Sequence, residues 1–243
     1  MADIDLSQLL ERYRSISRSI QNEIQTSSKT IEKLKSKSSD TLICDIENHI
    51  NNIQNHWNDL SGWILVSTLD DIDEARRNCA QGIIDLRSKI TRSKLKISNE
   101  ARTKNLTINT DSIVDAKIST YIPYFEQLLD LLISNAAKYS PAASTIEIEA
   151  DNNKTGIRIS ITSTGPLVEK SETPHIGSKG FRTAAAKRLS TTGQGYGLYN
   201  AIKICNLINA KLTINPNTKE QYTIKNVAFS TFEVTIHLPE YNQ

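Results

Sequence analysis

The chain has 243 residues, enough for one or two domains, of which 38% are hydrophobic and 23% charged. This is an ordinary globular composition, and a net charge of +2 gives no strong attraction to nucleic acid. The longest wholly apolar run, from Trp63 to Val66, is far shorter than the roughly 20 residues of a membrane helix. The chain opens without an apolar signal segment, and its widely spaced cysteines fit neither a metal site nor a disulfide framework. We therefore expect a cytoplasmic protein without a membrane span.

The first third of the chain has the spacing of two long helices. Apolar residues recur every three or four positions in residues 5–36, and a polar turn follows at 38–41. The segment from Ile43 to Ile64 then repeats apolar residues in alternating steps of three and four, which is a heptad pattern. The two segments predict an antiparallel hairpin. Because a lone hairpin cannot cover its own apolar seam, we expect a homodimer through this hairpin or a third helix against it.

Residues 70–104 continue the apolar stripe and predict that third helix. This segment contains nine lysines and arginines from Arg76 onward, against only Asp85 and Glu100. One interpretation is a surface for nucleic acid or an acidic protein partner, and the simpler one is a solvated helix face. Aromatic residues that could stack on bases are missing between the basic ones, which weakens the nucleic-acid alternative.

The second half of the chain contains all six prolines and most of the glycines, which predicts a mixed fold of helices and strands. The predicted helices are Tyr121–Tyr139, with Pro123 in its first turn, and Gly195–Ala210. Alternating or apolar segments predict strands at 106–109, 145–150, 156–163, 211–215, 222–228 and 232–238. A polar stretch with basic residues at 165–192 is longer than an ordinary connecting loop, so we expect it to have a function. Helices and strands segregate into two layers, so the predicted fold is an α+β sandwich.

A run of alternate glycines precedes the last helix. In the sequence Gly193-Gln194-Gly195-Tyr196-Gly197-Leu198 the backbone can approach a phosphate closely, and the following helix adds unpaired N–H groups. A flexible turn before a helix would give the same pattern. The preceding segment is a basic loop and not a strand, which disfavours a dinucleotide-binding fingerprint.

The helix over 121–139 contains one conspicuous amide, Asn135, among apolar residues. Its side-chain oxygen suits a hard cation such as Mg²⁺, although a solvated position is the simpler interpretation of this residue taken alone. Lys138 and Tyr139 follow within one turn.

Together these segments resemble the ATPase family of gyrase, Hsp90, histidine kinases and MutL. The helix is similar to the family's N-box, in the histidine kinase form Asn135-Ala136-Ala137-Lys138-Tyr139, and Gly193–Leu198 resembles its second glycine box. Phe181-Arg182 occupies the place of the aromatic-rich box in the ATP lid, and Thr231-Phe232 before Leu238-Pro239 resembles the closing strand. The resemblance covers about residues 82–240 and implies the two-layer α/β sandwich of that family.

The resemblance also implies roles for single residues. Asn135 would hold Mg²⁺ against the phosphates of ATP, Lys138 would lie near the phosphates, and Tyr139 near the nucleoside. The backbone of Gly193, Gly195, Gly197 and Leu198 would surround the triphosphate, Thr231 would lie beneath the adenine, and Arg182 would be one of the lid's basic residues.

Two positions depart from the family pattern. Ser163 and Gly165 align with the first glycine box, where the family has an aspartate that accepts the adenine amino proton; a serine makes that contact without charge. Leu131 stands four residues before Asn135, where the family has its polar near-catalytic residue, so no catalytic residue is assigned. The neighbouring Asp130 points elsewhere, because one residue turns a helix by about 100°.

The histidines do not match the family's phosphoacceptor motif. Residues 5–36 contain none, whereas His49 and His56 lie on the second predicted helix beside its apolar seam, where structural flank histidines are the simpler interpretation.

The sequence thus predicts a helical hairpin and the start of a connecting helix at 1–81 and a histidine kinase-like ATP-binding domain at 82–243. Three functions stay open. The first is a degenerate module that uses bound ATP and Mg²⁺ as a conformational switch and signals by its conformation or by contact with a protein partner that the sequence does not identify. The others are an active histidine kinase with an atypical acceptor histidine and an ATPase clamp.

Overall fold

The computed structural model describes residues 20, 22–27, 29–31, 46, 49–50, 53, 69, 71–79, 81–153, 156–189 and 195–239. The chain divides into two compact units, Met1–Asp71 and Ile72–Gln243. The boundary predicted from the sequence is at residues 81 and 82.

In the first unit, the described residues of 20–31 and 46–53 are helical. Three apolar side chains of these segments, Ile24, Ile31 and Ile50, are exposed on the single chain. Most of the heptad segment from Ile43 to Ile64, and His56 with it, lies outside the described residues. The hairpin therefore stays a prediction.

The second unit alternates helices with strands. Its helices are α1 (Ile72–Arg77), α2 (Leu86–Lys96), α3 (Ser98–Lys104), α4 (Ile122–Tyr139), α5 (Ala184–Leu189) and α6 (Gly197–Leu207), with a 3₁₀ turn at Thr173–His175. Its strands are β1 (Gln81–Asp85), β2 (Thr107–Asn109), β3 (Lys117–Tyr121), β4 (Thr145–Asn153), β5 (Gly156–Pro166), β6 (Lys211–Pro216), β7 (Tyr222–Ile224) and β8 (Val227–Pro239).

A six-stranded sheet forms one layer of this unit. Its order is β2-β4-β5-β8-β6, with β7 paired to β8; β2 and β4 are parallel and the other pairs antiparallel. A separate two-stranded sheet joins β1 to β3. The second layer consists mainly of α4 and α6, which pack on each other and on the sheet. The mixed sheet-and-helix fold predicted for this part of the chain is confirmed.

The core lies between these layers. It contains Phe125, Leu129 and Ile133 of α4 and Ile159 and Ile161 of β5, each at most 3% exposed. Burying each such side chain stabilises the fold by about 1.5–3 kcal/mol. Among the described residues, no helix combines the length and apolar character that crossing a lipid bilayer requires.

The prediction of one continuous helix over residues 70–104 is wrong, because a strand interrupts this segment. The described part of this segment consists of α1, β1, α2 and α3, and Ile83 and Ile84 belong to strand β1, opposite Ser119 and Ile118. Helical spacing of apolar residues could not reveal this, because pairing with a distant strand overrides it. The side chain of Asp85 then accepts a hydrogen bond from the backbone N–H of Ser88 and starts α2 as its N-cap.

The strand predicted over residues 222–228 is a β-hairpin instead. Lys225 and Asn226 form the turn between β7 and β8 with φ angles of 48° and 63°. Two successive positive φ angles are typical of the tight turn whose twist matches that of paired strands. The strand predicted at 232–238 is accordingly longer, and spans Val227–Pro239.

Candidate functional site

A half-buried stripe runs along α4 beside its buried face. Leu131, Asn135, Lys138 and Tyr139 are all half-buried, and steps of four, three and one residue place them along one side of the helix. Nζ of Lys138 lies 5.7 Å from the centroid of the Tyr139 ring. The adjacent face of α4 packs into the core.

The segment before α6 is fixed by Gly195. Its φ is +76°, and a methyl group on it would lie 2.6 Å from the carbonyl carbon of Gly180 and 2.6 Å from the oxygen of Phe181. Both the conformation and the missing space require glycine. The contact holds the start of α6 against the segment that the sequence predicts to be the lid. Gly193 lies outside the described residues.

Asn135 and the start of α6 come together. Gly197 is the first residue of α6, and a methyl group on it would lie 3.9 Å from Oδ1 of Asn135. The N–H groups of a first helical turn have no partner within the helix and attract anions. An amide oxygen therefore faces a helix N-terminus here, next to the position of Leu198, and the two sequence motifs lie side by side.

The last residues of the central strand β5 add further side chains on the face of the sheet that carries the helices. Ser163 and Gly165 continue the helix-facing row of β5, two and four residues beyond Ile161. Ser163 pairs with Phe232, and a methyl group on Gly165 would lie 3.6 Å from Cβ of Phe232. Phe232 therefore shares the helix-facing side of the sheet with both residues.

Thr231 lies in the neighbouring row of the sheet. It pairs with Thr164, and because successive strand residues alternate between faces, its side chain is on the face away from Ser163. Its hydroxyl accepts a hydrogen bond of 2.8 Å from Nε2 of Gln221. The geometry thus brings Phe232, and not Thr231, together with Ser163. The alternation of strand residues shows from the sequence that Thr231 and Phe232 face opposite sides, and the register with β5 decides which of them faces the helices.

The segment between β5 and α6 packs against α6. A methyl group on Gly177, where φ is +87°, would lie 2.5 Å from Cδ1 of Ile202 on α6. Oε1 of Glu172 accepts the N–H of Ala184 at the start of α5, at 2.8 Å. Arg182 donates from Nη2 to the carbonyl oxygen of Ala186, at 2.8 Å. Arg182 thus supports α5 in this arrangement.

The exposed lysines and arginines in the described part of this segment are Lys170, Lys179, Lys187 and Arg188. Their side chains are physically suited to phosphate oxygens.

Two basic residues hold the C-terminal ends of the site helices, and the sequence did not single out either. Arg76 of α1 donates to the carbonyl oxygen of Leu207 at 2.8 and 2.9 Å, and to that of Asn206 at 3.1 Å. Nζ of Lys104 donates to the carbonyl oxygens of Ala137 and Lys138 at 2.7 and 2.6 Å. A cation at a helix C-terminus complements both the unpaired carbonyls and the helix dipole.

Other basic residues of the 76–104 segment pair with acidic residues of α4. Lys89 lies 2.5 Å from Glu126, and Lys96 lies 2.5 Å from Asp130, which also accepts a hydrogen bond from Ser93 at 2.6 Å. Asp130 is therefore bound to α2 and turned away from the stripe of Asn135. These ion pairs neutralise positive charges that a nucleic-acid-binding surface would need.

The cysteines of the second unit behave as small apolar residues. Burial raises the pKa of the Cys205 thiol to about 12, and burial also raises the pKa of Cys79. A thiol that stays protonated is a poor nucleophile and metal ligand. Within the described residues, no group of three or more His, Cys, Asp or Glu could hold a metal ion.

A metal ion at this site would therefore depend on Asn135. Its half-buried oxygen beside the first turn of α6 fits a single protein ligand to Mg²⁺. Mg²⁺ often takes only one or two protein oxygens and completes its shell with phosphates and water.

Comparison with known proteins gives a consistent result. The family model for histidine kinase-, DNA gyrase B- and HSP90-like ATPases matches residues 121–242, just over half of the chain. The sensor protein kinase GraS of Staphylococcus aureus is 32% identical over 105 residues, which are 42% of this chain and 30% of that protein. The chain thus matches less than one third of that curated relative's length.

Solved structures also share the fold. The histidine kinase AdeS of Acinetobacter baumannii superposes with a TM-score of 0.54 at 13% identity, covering 90% of this chain and 96% of that one. A bacterial phosphotransferase superposes with a TM-score of 0.53 at 12% identity, covering 98% of both chains.

Proposed function

The chain belongs to the histidine kinase-, DNA gyrase B- and HSP90-like ATPase family, and from that membership we propose that its second unit binds ATP between α4, α6 and the segment 165–189. The observation that supports this most is the approach of Asn135 to Gly197, since it joins two sequence motifs at one helix N-terminus. The triphosphate would lie along the first turn of α6, and the base toward Ser163 and Gly165. Lys138 and Tyr139 would flank the nucleotide on α4.

Mg²⁺ would bind through Asn135 and the phosphates, where it would neutralise the charge that the triphosphate brings into the site. The protein's own contribution is to hold that amide oxygen in place and to offer backbone N–H groups. The base contact would be weaker than a charged one, because the hydroxyl of Ser163 accepts a hydrogen bond without a formal charge. The aromatic ring of Phe232 would lie on the same side.

We infer further that bound ATP acts as a conformational switch and is turned over slowly. Leu131 occupies the position on the stripe one turn before Asn135, and a leucine can neither accept a proton nor orient water. Asp130 would not replace it, because its carboxylate is bound by Lys96 and Ser93. Gly195 and Gly177 hold the segment 165–189 against α6, so a nucleotide there would change the packing of this segment directly.

Signalling is the proposed context, because the curated relative is a sensor protein kinase. The proposed assembly is a cytoplasmic homodimer through the N-terminal helices. The exposure of Ile24, Ile31 and Ile50 supports it, since these apolar side chains would be covered by a second copy. The third function, an ATPase clamp on nucleic acid, has less support, because Lys89, Lys96 and Arg76 bind within the domain itself.

An active kinase is the second candidate function, and one contact in the N-terminal unit favours it: the histidine His49 is paired with the carboxylate of Glu23.

Titrating the purified protein with ATP, ADP and GTP, each with and without Mg²⁺, tests nucleotide binding. A rise in melting temperature with ATP and Mg²⁺ is expected, because a ligand that prefers the folded state stabilises it. No shift at millimolar ATP would refute the proposal.

Transfer of labelled γ-phosphate to the protein, followed by acid treatment, separates the two candidate functions. The switch predicts persistent ATP and little label, and the kinase predicts acid-labile label. Salt-dependent DNA binding would instead favour the clamp.

A further inference from the structure

The end of α4 leaves carbonyl groups without partners inside the helix. In a continued helix the carbonyl oxygen of Ala137 would accept the N–H of residue 141, but that residue is Pro141, which has no N–H. The residue before a proline also avoids helical angles, and Ser140 is extended, with φ of −68° and ψ of 136°. The last helical bond runs from the N–H of Ser140 to the carbonyl of Ala136. The carbonyls of Ala137 and Lys138 therefore need donors from elsewhere.

The ammonium group of Lys104 supplies both missing donors. Its Nζ donates to the carbonyl oxygens of Ala137 and Lys138 at 2.7 and 2.6 Å, and it lies 3.2 Å from Oε1 of Glu100. A lysine ammonium has three N–H groups, so each of these oxygens can accept one. Hydrogen bonds from a charged donor are stronger than neutral ones, and the cation also complements the dipole of α4.

The main chain fixes Lys104 at this place. Lys104 is the last residue of α3, which ends there because Asn105 has a φ of 54°. The carbonyl oxygen of Lys104 accepts the N–H of Ala143, which follows α4, at 2.9 Å. The side chain of Lys104 is 28% exposed, so its neighbours exclude most of the water that would compete for the ammonium. One residue of α3 thus holds the end of α4 by both its backbone and its side chain.

The contact supports the side chains that follow Asn135. The backbone of Asn135 lies inside the hydrogen-bonded part of α4, whereas Lys138 and Tyr139 are in its last turn. The ammonium of Lys138 lies 5.7 Å from the centroid of the Tyr139 ring, so the two side chains form a pair on this turn. Terminal turns fray when their carbonyls have no partner, and the direction of a side chain follows the helical backbone that carries it.

We propose that Lys104 is a positioning residue of the nucleotide site, which it serves without touching the nucleotide. By holding the last turn of α4, it places Lys138 beside the phosphates and Tyr139 beside the nucleoside. Asn135 keeps its place independently of Lys104. This inference rests on the proposed function. It divides the stripe of α4 into an ion-binding part that needs no outside support and a nucleotide-flanking part that needs Lys104.

The test is the affinity of the full chain for ATP, measured by calorimetry well below the melting temperature, with and without Mg²⁺. Lys104→Met keeps an unbranched side chain and removes its charge and its N–H groups. ATP binding should weaken about tenfold, the effect expected from the loss of a charge-assisted hydrogen bond. The ratio of the affinities with and without Mg²⁺ should stay at the wild-type value, because it depends on Asn135. A lower melting temperature with unchanged affinity would overturn the proposal.

Two variants serve as matched controls. Lys104→Arg keeps the charge and the donors, and it should recover most of the affinity. Arg76→Ala removes the corresponding cation from the C-terminal end of α6, and it should bind ATP as tightly as the wild type. An equal loss of affinity in Arg76→Ala would show that general destabilisation explains the result, which would refute the role of Lys104. If Lys104→Met has no melting transition, Lys104→Gln replaces it, with the same expected loss and the same refuting outcome.

A double-mutant cycle identifies the residue through which Lys104 acts. Lys138→Met alone should weaken ATP binding. In that background, Lys104→Met should weaken binding by a smaller factor than it does in the wild type, because the side chain that it positions is already missing. The same factor in both backgrounds would show that Lys104 does not act through Lys138.

Failure of this proposal is distinguishable from failure of ATP binding. If the wild type binds ATP and Lys104→Met binds it equally well, the nucleotide site stands and Lys104 has no part in it. If the wild type does not bind ATP, the nucleotide site is refuted, and the proposed role of Lys104 is refuted with it.

Discussion

Oδ1 of Asn135 faces Gly197, and a methyl group placed on that glycine would lie 3.9 Å from this oxygen. The side chain of one helix and the N-terminus of another thus form a single polar corner on an otherwise apolar contact between α4 and α6. The amide of Asn135 is half-buried, and a polar group in such a place needs a hydrogen-bond partner, so this corner has the character of a binding site more than of a packing contact.

Replacing Asn135 by alanine should remove most of the Mg²⁺-dependent thermal shift by ATP. The amide oxygen is the proposed protein ligand of the ion, and alanine offers none. Melting curves with ATP, with and without Mg²⁺, measure this. The matched control is Ser134→Ala, the preceding residue, whose hydroxyl donates to the carbonyl of Leu131 at 3.3 Å. An unchanged shift in Asn135→Ala would remove this residue from the site.

Gly195, which precedes α6, and Gly197, its first residue, should respond differently to alanine. Gly195→Ala places a side chain in a left-handed conformation and against the backbone of Gly180, so it should destabilise the fold by at least about 1–2 kcal/mol. Gly197→Ala should fold normally, since its backbone is helical, yet weaken ATP binding about tenfold, equal to about 1.4 kcal/mol. Denaturant titration and calorimetry measure the two effects. Equal losses of stability in both variants would contradict this distinction.

Leu131→Glu should increase ATP hydrolysis. It places a carboxylate one helical turn before Asn135, and a positioned acid–base group contributes about 10²–10⁴-fold to rate. Release of inorganic phosphate at saturating ATP measures the change, and Leu131→Gln is the control of similar size without basicity. Fast hydrolysis by the wild type that Asp130→Asn abolishes would show instead that Asp130 does the chemistry.

Arg76→Ala should lower the free energy of unfolding by about 1.5 kcal/mol. It removes charge-assisted hydrogen bonds to the carbonyls of Leu207 and Asn206 at the end of α6. Arg77→Ala is the matched control, because the adjacent Arg77 is exposed. Urea titrations of both variants provide the comparison, and equal effects would show that α6 does not depend on this contact.

Ile50→Asp should convert the proposed dimer to a monomer or unfold the N-terminal unit. A carboxylate in an apolar seam loses its hydration without a partner, at a cost of several kcal/mol. Light scattering at several concentrations measures the mass. Gln25→Asp introduces the same charge at an exposed polar position and should leave the dimer intact. A monomeric wild type at high concentration would rule out the homodimer.

Local sequence was sufficient for the elements that carry their own signals. The helix α4 followed from its apolar residues and from Pro123 in its first turn. Its first residue in the structure lies one position after the predicted start, and its last residue is the predicted one. The family resemblance of Asn135 to Tyr139 and of the glycine run also needed only short stretches of chain, because both motifs are built from neighbouring residues.

Tertiary structure decided four other relationships: the pairing of β1 with β3, the face that Thr231 takes in the sheet, the approach of Asn135 to Gly197, and the contact of Glu23 with His49. Each joins residues that are distant in the chain, or depends on a strand register set by such partners. The sequence by itself determined which groups were available and the local conformation of α4. Which groups meet depends on packing free energies summed over the whole domain, and no local pattern contains that sum.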